Sequence, residues 1–562
     1  MTPMTVAKPQ TLTIPALFAA TVTARPEEPA LGVIEGGELR WLSWRQLADK
    51  VHAWAVELAA RGIKAGDRVA QLSPNCEGWI LADLALQSIG AVHVPLHVAL
   101  APSQIDQQIT HSGAKLLIVA NANAGFGETG LRGQVSPKLA SPVRRGGPAY
   151  EMRHADFPTA PSQSPLNYAV YPDDLATILY TSGTTGPPRG VMLTQRNIAA
   201  NAVAMADELD TGNVETRLLL LPLSHIYART CDLYCWIYRG SRLVIAESRE
   251  TALRDCKLAE PTVINAVPYF YQKVADGLRS NASGVDAATL KAALGGAVKM
   301  LFCGGAALPA EVERFFEDRG LPVMCGYGLT EASPVITATT PATYSPGSVG
   351  RPLLNVEVRL AADGEVQVRG PSVMQGYWQN EAETARAIKA GWLHTGDLGQ
   401  WDANGNLRIV GRKKEMLVLA TGKKVAPTHI EQLLLGSPWI EQCCVLGDGR
   451  KCLAALIVPN PDALRAEIRR QRLWVWSRRR ALCHPKLLAH YREEIDRCLA
   501  DAAEFEQVGA FTLLGRGFSI DQGELTPKLS LCRNVIERSF TDDIEAMYRR
   551  PPGPRTARLA SR

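Results

Sequence analysis

Residues 181 to 190 read TSGTTGPPRG, placing three glycines, four hydroxyl side chains and one arginine within ten positions. Gly183 and Gly186 permit positive φ and let backbone N–H groups converge on an anion, while Thr181, Ser182, Thr184 and Thr185 add hydroxyl donors. Arg189 supplies a permanent positive charge. The strand-like run TILY (177–180) leads directly into this stretch, so it reads as a phosphate-binding loop at the end of a strand. It is not a Walker A loop: Gly183 and Gly186 stand too close together, and Pro187-Pro188 blocks the helix that must follow. Taken alone, it leaves a plain flexible turn as a rival.

Such a loop needs a scaffold. SWRQ (43–46) is a capping box that opens a helix with Leu47, Val51, Trp54, Ala55 and Leu58 on one face, and Gly62 closes it. Strand 68–72, helix 78–90 and strand 91–96 follow in the βαβ rhythm of a parallel sheet. The rhythm returns at 177–182, 217–223, 242–246 and 299–305. Residues 11–24 read as a first amphipathic helix rather than a signal peptide, and no run reaches the ~18 apolar residues of a membrane span. The stretch from about 123 to 170 is turn-rich and reads as a surface connection. A net charge of +5 on 562 residues gives no reason to expect nucleic acid. Twelve scattered cysteines without a CxxC pair read as reduced thiols in a cytoplasmic protein.

Six further stretches stand in order behind the loop: LPLSHIY (221–227), GGAALP (304–309), GYGLTEASP (326–334), GWLHTGD (391–397), GRKKE (411–415) and TGKKVAP (421–427). With YTSGTTGPPRGV they resemble the signature motifs of the acyl-adenylate-forming (AMP-binding) superfamily over residues 12–548. The wording around His225 and Glu331 is most similar to the long-chain fatty acyl-CoA synthetases.

The resemblance implies two half-reactions. A carboxylate attacks the α-phosphorus of ATP to give acyl-AMP and pyrophosphate, and coenzyme A then displaces AMP. No side-chain nucleophile is required, which agrees with the lack of a Ser/His/Asp or Cys/His signature; the protein must align reactants and neutralise charge. By the same resemblance the loop, Thr185 and Arg189 included, holds the β- and γ-phosphates. Glu331 is the magnesium ligand, Thr330 touches the α-phosphate and Tyr327, followed by Gly328, stacks on adenine. Gly304, Gly305 and Ala306 border the adenine edge; Asp397 takes the ribose hydroxyls with help from Arg412. His225 belongs to the acyl and thiol side, with a purely structural histidine as the alternative. Lys414 marks the pivot of a mobile C-terminal domain, and Gly422 lines a pantetheine tunnel.

The expected fold is α/β: a large N-terminal region (1–411) of βαβ-type parallel and mixed sheets, a small mobile α+β domain (412–548) and a disordered tail (549–562). Two departures from the family pattern stand out. The family's late lysine falls at Ser530, while Lys528 lies two residues earlier; in an extended segment both face one side, roughly 6–7 Å apart. Lys528 is taken as the substitute. RRQRLWVWSRRR (469–480) reads as a solvated helix that tucks its tryptophans inward, with peripheral contact at the inner membrane face as the alternative. The expected activity is ATP- and Mg-dependent fatty acyl-CoA synthesis. Its rivals are transfer to an acyl carrier protein and a degenerate relative that binds without turnover.

Overall fold

The computed structural model describes residues 11–120, 150–162, 164, 168–181, 189–209, 215–281, 285–474, 477–519, 521–525 and 531–549. The helix Trp44–Ala60 begins as its capping box requires, with Ser43 and Gln46 exchanging side-chain and backbone hydrogen bonds. Leu47, Val51, Trp54, Ala55 and Leu58 are all buried. Helix Ile14–Ala24 is capped by the Thr13 side chain and carries Pro15 in its first turn, where no N–H is needed.

Among the described residues, a nine-stranded sheet has a parallel centre. In spatial order its parallel strands are Val323–Gly328, Met300–Cys303, Val263–Ala266, Thr216–Leu219, Arg242–Ile245 and Pro29–Glu35. A seven-stranded sheet sets Leu175–Thr181 parallel to Val92–Leu96 and antiparallel to Arg189–Thr194. Its far edge is Tyr150–Arg153, parallel to Leu116–Val119, so part of the stretch read as a surface connection is a strand. A third, antiparallel sheet contains Glu365–Arg369, Trp392–Trp401 and Leu407–Arg412.

The three hydrophobic clusters nearer the N-terminus draw their buried residues from Ile14 to Leu407. Two others draw theirs from Leu417 to Met547, around a three-stranded sheet of Ile440–Leu446, Leu453–Pro459 and Val508–Leu513. The larger α/β body and the smaller α+β unit thus each have their own core. No helix among the described residues is long and apolar enough to cross a membrane.

Candidate active site

Residues far apart in the sequence meet because four neighbouring strands run parallel and end on the same side of the sheet. Thr216–Leu219 leads to His225, Met300–Cys303 to Gly304, Gly305 and Ala306, and Val323–Gly328 carries Tyr327; Val263–Ala266 lies between the first two. Gly305 has φ +81°, and an added Cβ would meet only Val267, at 3.9 Å. A Cβ on Gly304 would press on the Tyr227 ring at 3.0 Å. On Gly328 it would strike the Pro334 carbonyl, so that glycine is required by backbone packing. His225 caps the short helix Ile226–Ala228, its Nδ1 accepting the Tyr227 N–H at 3.2 Å. One nitrogen of this ring therefore has a structural task.

Asp397 lies opposite Arg412 in the register of two antiparallel strands, and the two form an ion pair at 3.0 Å. The Tyr327 hydroxyl donates to the other carboxylate oxygen at 2.7 Å. Asp397 is buried. Burial raises its pKa, with Arg412 and the Tyr327 hydrogen bond opposing the rise. A carboxylate has about four lone-pair sites, so both oxygens can still accept from a ligand hydroxyl.

The Arg189 side of the site is built differently. Thr181 ends its strand with a buried hydroxyl that has no hydrogen-bond partner among the described residues. Across the hairpin, the Arg189 guanidinium lies over the Tyr377 ring, 5.0 Å from its centroid, and donates to Glu383 at 3.4 Å. The Tyr377 hydroxyl in turn donates to Glu331 Oε1 at 2.8 Å. Burial, then the Glu331 charge, pushes the Tyr377 pKa up, so this proton stays on the phenol. Glu331 sits with buried Thr330 in the 3-10 turn Thr330–Ala332, and its backbone carbonyl accepts from Met374 N–H at 2.9 Å.

Glu331 Oε2 has no hydrogen-bond partner among the described residues. No group of three or more His, Cys, Asp or Glu side chains there could enclose a metal. A single hard carboxylate oxygen suits magnesium, which keeps several waters and takes phosphate oxygens as its other ligands.

Ser182, Gly183, Thr184, Thr185, Gly186 and Lys528, with Ser530, lie outside the described residues. Leu525 and Leu531 on either side of Lys528 form an antiparallel bridge. Gly422 occupies an exposed turn at φ +78°, its N–H donating to Leu419 O. Lys414 is also exposed. The inward-facing tryptophans of 469–480 are corrected at Trp474, which is 89% exposed. The preceding helix stops at Arg470 and Arg472 turns the chain at φ +51°, so no helical face carries Trp474 to the core.

Sequence reasoning missed Tyr377, which joins Arg189 to Glu331. Its signal was the GYW triplet (376–378), too short to show periodicity.

Residues 18–378 match the AMP-binding enzyme family, and residues 414–551 match the AMP-binding enzyme C-terminal domain. The chain belongs to the AMP-binding enzyme family and is an adenylate-forming ligase. It is 31% identical over 552 residues to the long-chain-fatty-acid–CoA ligase FadD15 of Mycobacterium bovis, covering 90% of this chain and 91% of that protein. A feruloyl-CoA synthase of Amycolatopsis sp is 32% identical over 438 residues, covering 75% and 84%. In fold, the chain is similar to the o-succinylbenzoate coenzyme A synthetase MenE of Bacillus subtilis in complex with ATP and magnesium ion. The TM-score is 0.71 at 23% identity, covering 92% of this chain and 98% of that one.

Proposed function

We propose that the protein converts a medium- or long-chain fatty acid, ATP and coenzyme A into acyl-CoA, AMP and pyrophosphate through acyl-AMP. The observation that carries this reading is that side chains from three sheets form two polar sets, one anchored on Tyr327 and the other on Glu331, four residues later in the same stretch of chain. Tyr327–Asp397–Arg412 is suited to a nucleoside diol, and Arg189–Tyr377–Glu331 to a metal-bound triphosphate. Magnesium would sit on Glu331 and draw charge from the phosphates. Arg189 and the hydroxyls of 181–185 would hold the leaving pyrophosphate, Thr330 would meet the α-phosphate, and Tyr327 and the 304–306 backbone would frame the base. Asp397 would hold the ribose, His225 would face the acyl carboxylate, and Lys528 would neutralise charge during adenylation.

The domain division at 411/412, rotation at Lys414 and a pantetheine path past Gly422 belong to the same reading; the separate cores on either side of 407–417 support it. The similarity to FadD15 favours a fatty acid. All twelve cysteines are free thiols, as suits a reducing cytoplasm. Exposed Trp474 among Arg469, Arg470, Arg472 and Arg480 favours peripheral contact with a membrane surface, where such a substrate resides.

The test is pyrophosphate release with ATP, magnesium and acids from C6 to C18, with ferulate alongside, each with and without coenzyme A. Coenzyme-A-dependent turnover on one fatty chain class is expected. Turnover on ferulate alone would sink the fatty-acid assignment. Acyl-AMP without acyl-CoA would point to a carrier protein as acceptor.

A further inference from the structure

Glu365 opens the strand Glu365–Arg369 and is only 6% exposed, unusual for a carboxylate unless it is well partnered. Its partners come from two places. Oε1 accepts the Gly396 N–H at 3.0 Å, and Oε2 takes His394 Nδ1 and Lys413 Nζ, each at 3.2 Å. Lys413 also pairs with Asp363 at 2.5 Å. Burial raises the Glu365 pKa, but the bonds from His394, Lys413 and Gly396 outweigh it, so the carboxylate stays charged.

The placement gives these contacts their meaning. His394 stands three residues and Gly396 one residue before Asp397 in the same strand, and Gly396 has φ +73° just ahead of the carboxylate that meets Tyr327 and Arg412. Lys413 directly follows Arg412 and directly precedes Lys414. One carboxylate therefore holds the approach to Asp397 through His394 and Gly396, and the start of the hinge through Lys413. It thereby ties down Lys413, four residues before the second core begins at Leu417.

We propose that Glu365 is a positioning residue that couples the Asp397–Arg412 nucleotide clamp to the hinge, with Lys413 as the tether that fixes where domain rotation begins. This rests on the functional reading above. Glu365→Gln keeps the shape, but its amide cannot serve Lys413 and His394 as a carboxylate does. Lys413→Ala cuts the hinge side alone.

The experiment measures three quantities: AMP affinity by calorimetry, pyrophosphate exchange for adenylation, and thioester formation from preformed acyl-AMP and coenzyme A. Glu365→Gln should weaken AMP and raise KM for ATP roughly tenfold, the scale of one hydrogen bond to a charged group. Lys413→Ala should leave AMP affinity and exchange within about twofold and slow thioester formation roughly fivefold, the order of a partly exposed ion-pair contact. Lys413→Arg should restore the thioester rate. The proposal is overturned if Glu365→Gln leaves AMP affinity unchanged, if Lys413→Ala leaves thioester formation unchanged, or if Lys413→Arg fails to rescue. Should Glu365→Gln not fold, Lys413→Ala and its rescue decide by themselves. AMP binding needs no acyl substrate, so an unaltered wild-type affinity without exchange would count against the fatty-acid reading and not against this one.

Discussion

Tyr327, Asp397 and Arg412 form a closed set in which each carboxylate oxygen already has a partner. Arg189 is joined to Glu331 through Tyr377 and directly to Glu383, and Glu331 keeps an oxygen without a partner among the described residues. The contrast follows from what each side would bind. A ribose diol is neutral, so a charged clamp can be finished in advance and simply accept two more hydrogen bonds. A magnesium triphosphate carries its own charges, and side chains left unpaired to await it would be costly in a half-buried site. Arg189 instead rests on a weak partner, Glu383, that a stronger anion can displace.

The largest effect is expected from Glu331→Ala. If the unclaimed oxygen is the magnesium position, pyrophosphate release should fall by about 10³, comparable to losing one preorganised electrostatic contact in a transition state. The magnesium titration should also move to higher concentration. A loss smaller than that of the ribose-side variant would reverse the ranking of the two halves.

Next comes Asp397→Asn, which removes one charge from the closed set. KM for ATP should rise roughly 10- to 100-fold, the value of hydrogen bonds to a charged acceptor, with a smaller change in kcat. Because burial raises the Asp397 pKa, acidification protonates it earlier than an exposed aspartate. Wild-type KM for ATP should therefore begin to climb at a higher pH than an exposed aspartate would give as the solution is acidified, and the Asn variant should lose much of that slope. An unchanged slope would assign the pH dependence elsewhere.

How far these two halves were legible in the sequence depends on how local each signal is. The Ser43–Gln46 capping box and the buried face of Trp44–Ala60 are set within a few turns of chain, and both appeared as expected. The run 217–223 was read too long; its strand ends at Leu219, ahead of Pro222. Asp397 and Arg412 were legible as family positions, but their pairing comes from the register of two strands, which no spacing rule states. Tyr377 lies in a two-residue strand without periodicity. Glu365 gave no signal of its own, because Glu365–Val368 are buried on both faces and the usual inside-outside alternation is absent. Trp474 misled for a local reason, the helix end at Arg470.

Tyr377→Phe sharpens the comparison at smaller scale. The phenylalanine ring would remain beneath Arg189, so only the hydrogen bond to Glu331 is lost. A loss of roughly tenfold in kcat for pyrophosphate release is expected, the worth of one charged hydrogen bond, with KM for ATP nearly unchanged. If KM rises and kcat holds, Tyr377 serves ground-state binding and does not position Glu331 for the reaction.

The smallest effect is expected from Glu383→Gln, and its sign carries the information. The Arg189–Glu383 contact is 3.4 Å long between side chains that are 32% and 29% exposed. Pairs of this kind contribute no more than about 1 kcal/mol. If Glu383 only holds Arg189 until triphosphate arrives, neutralising it should ease the exchange and lower KM for ATP by about two- to threefold, leaving kcat alone. Arg386, the other partner of Glu383, is still offered a carbonyl oxygen by the glutamine. The gain should shrink at high salt, where a partly exposed ion pair is already screened. A rise in KM would mean that Glu383 aims Arg189 at the phosphates. The phosphate half would then be as finished as the ribose half, and the distinction between them would fail.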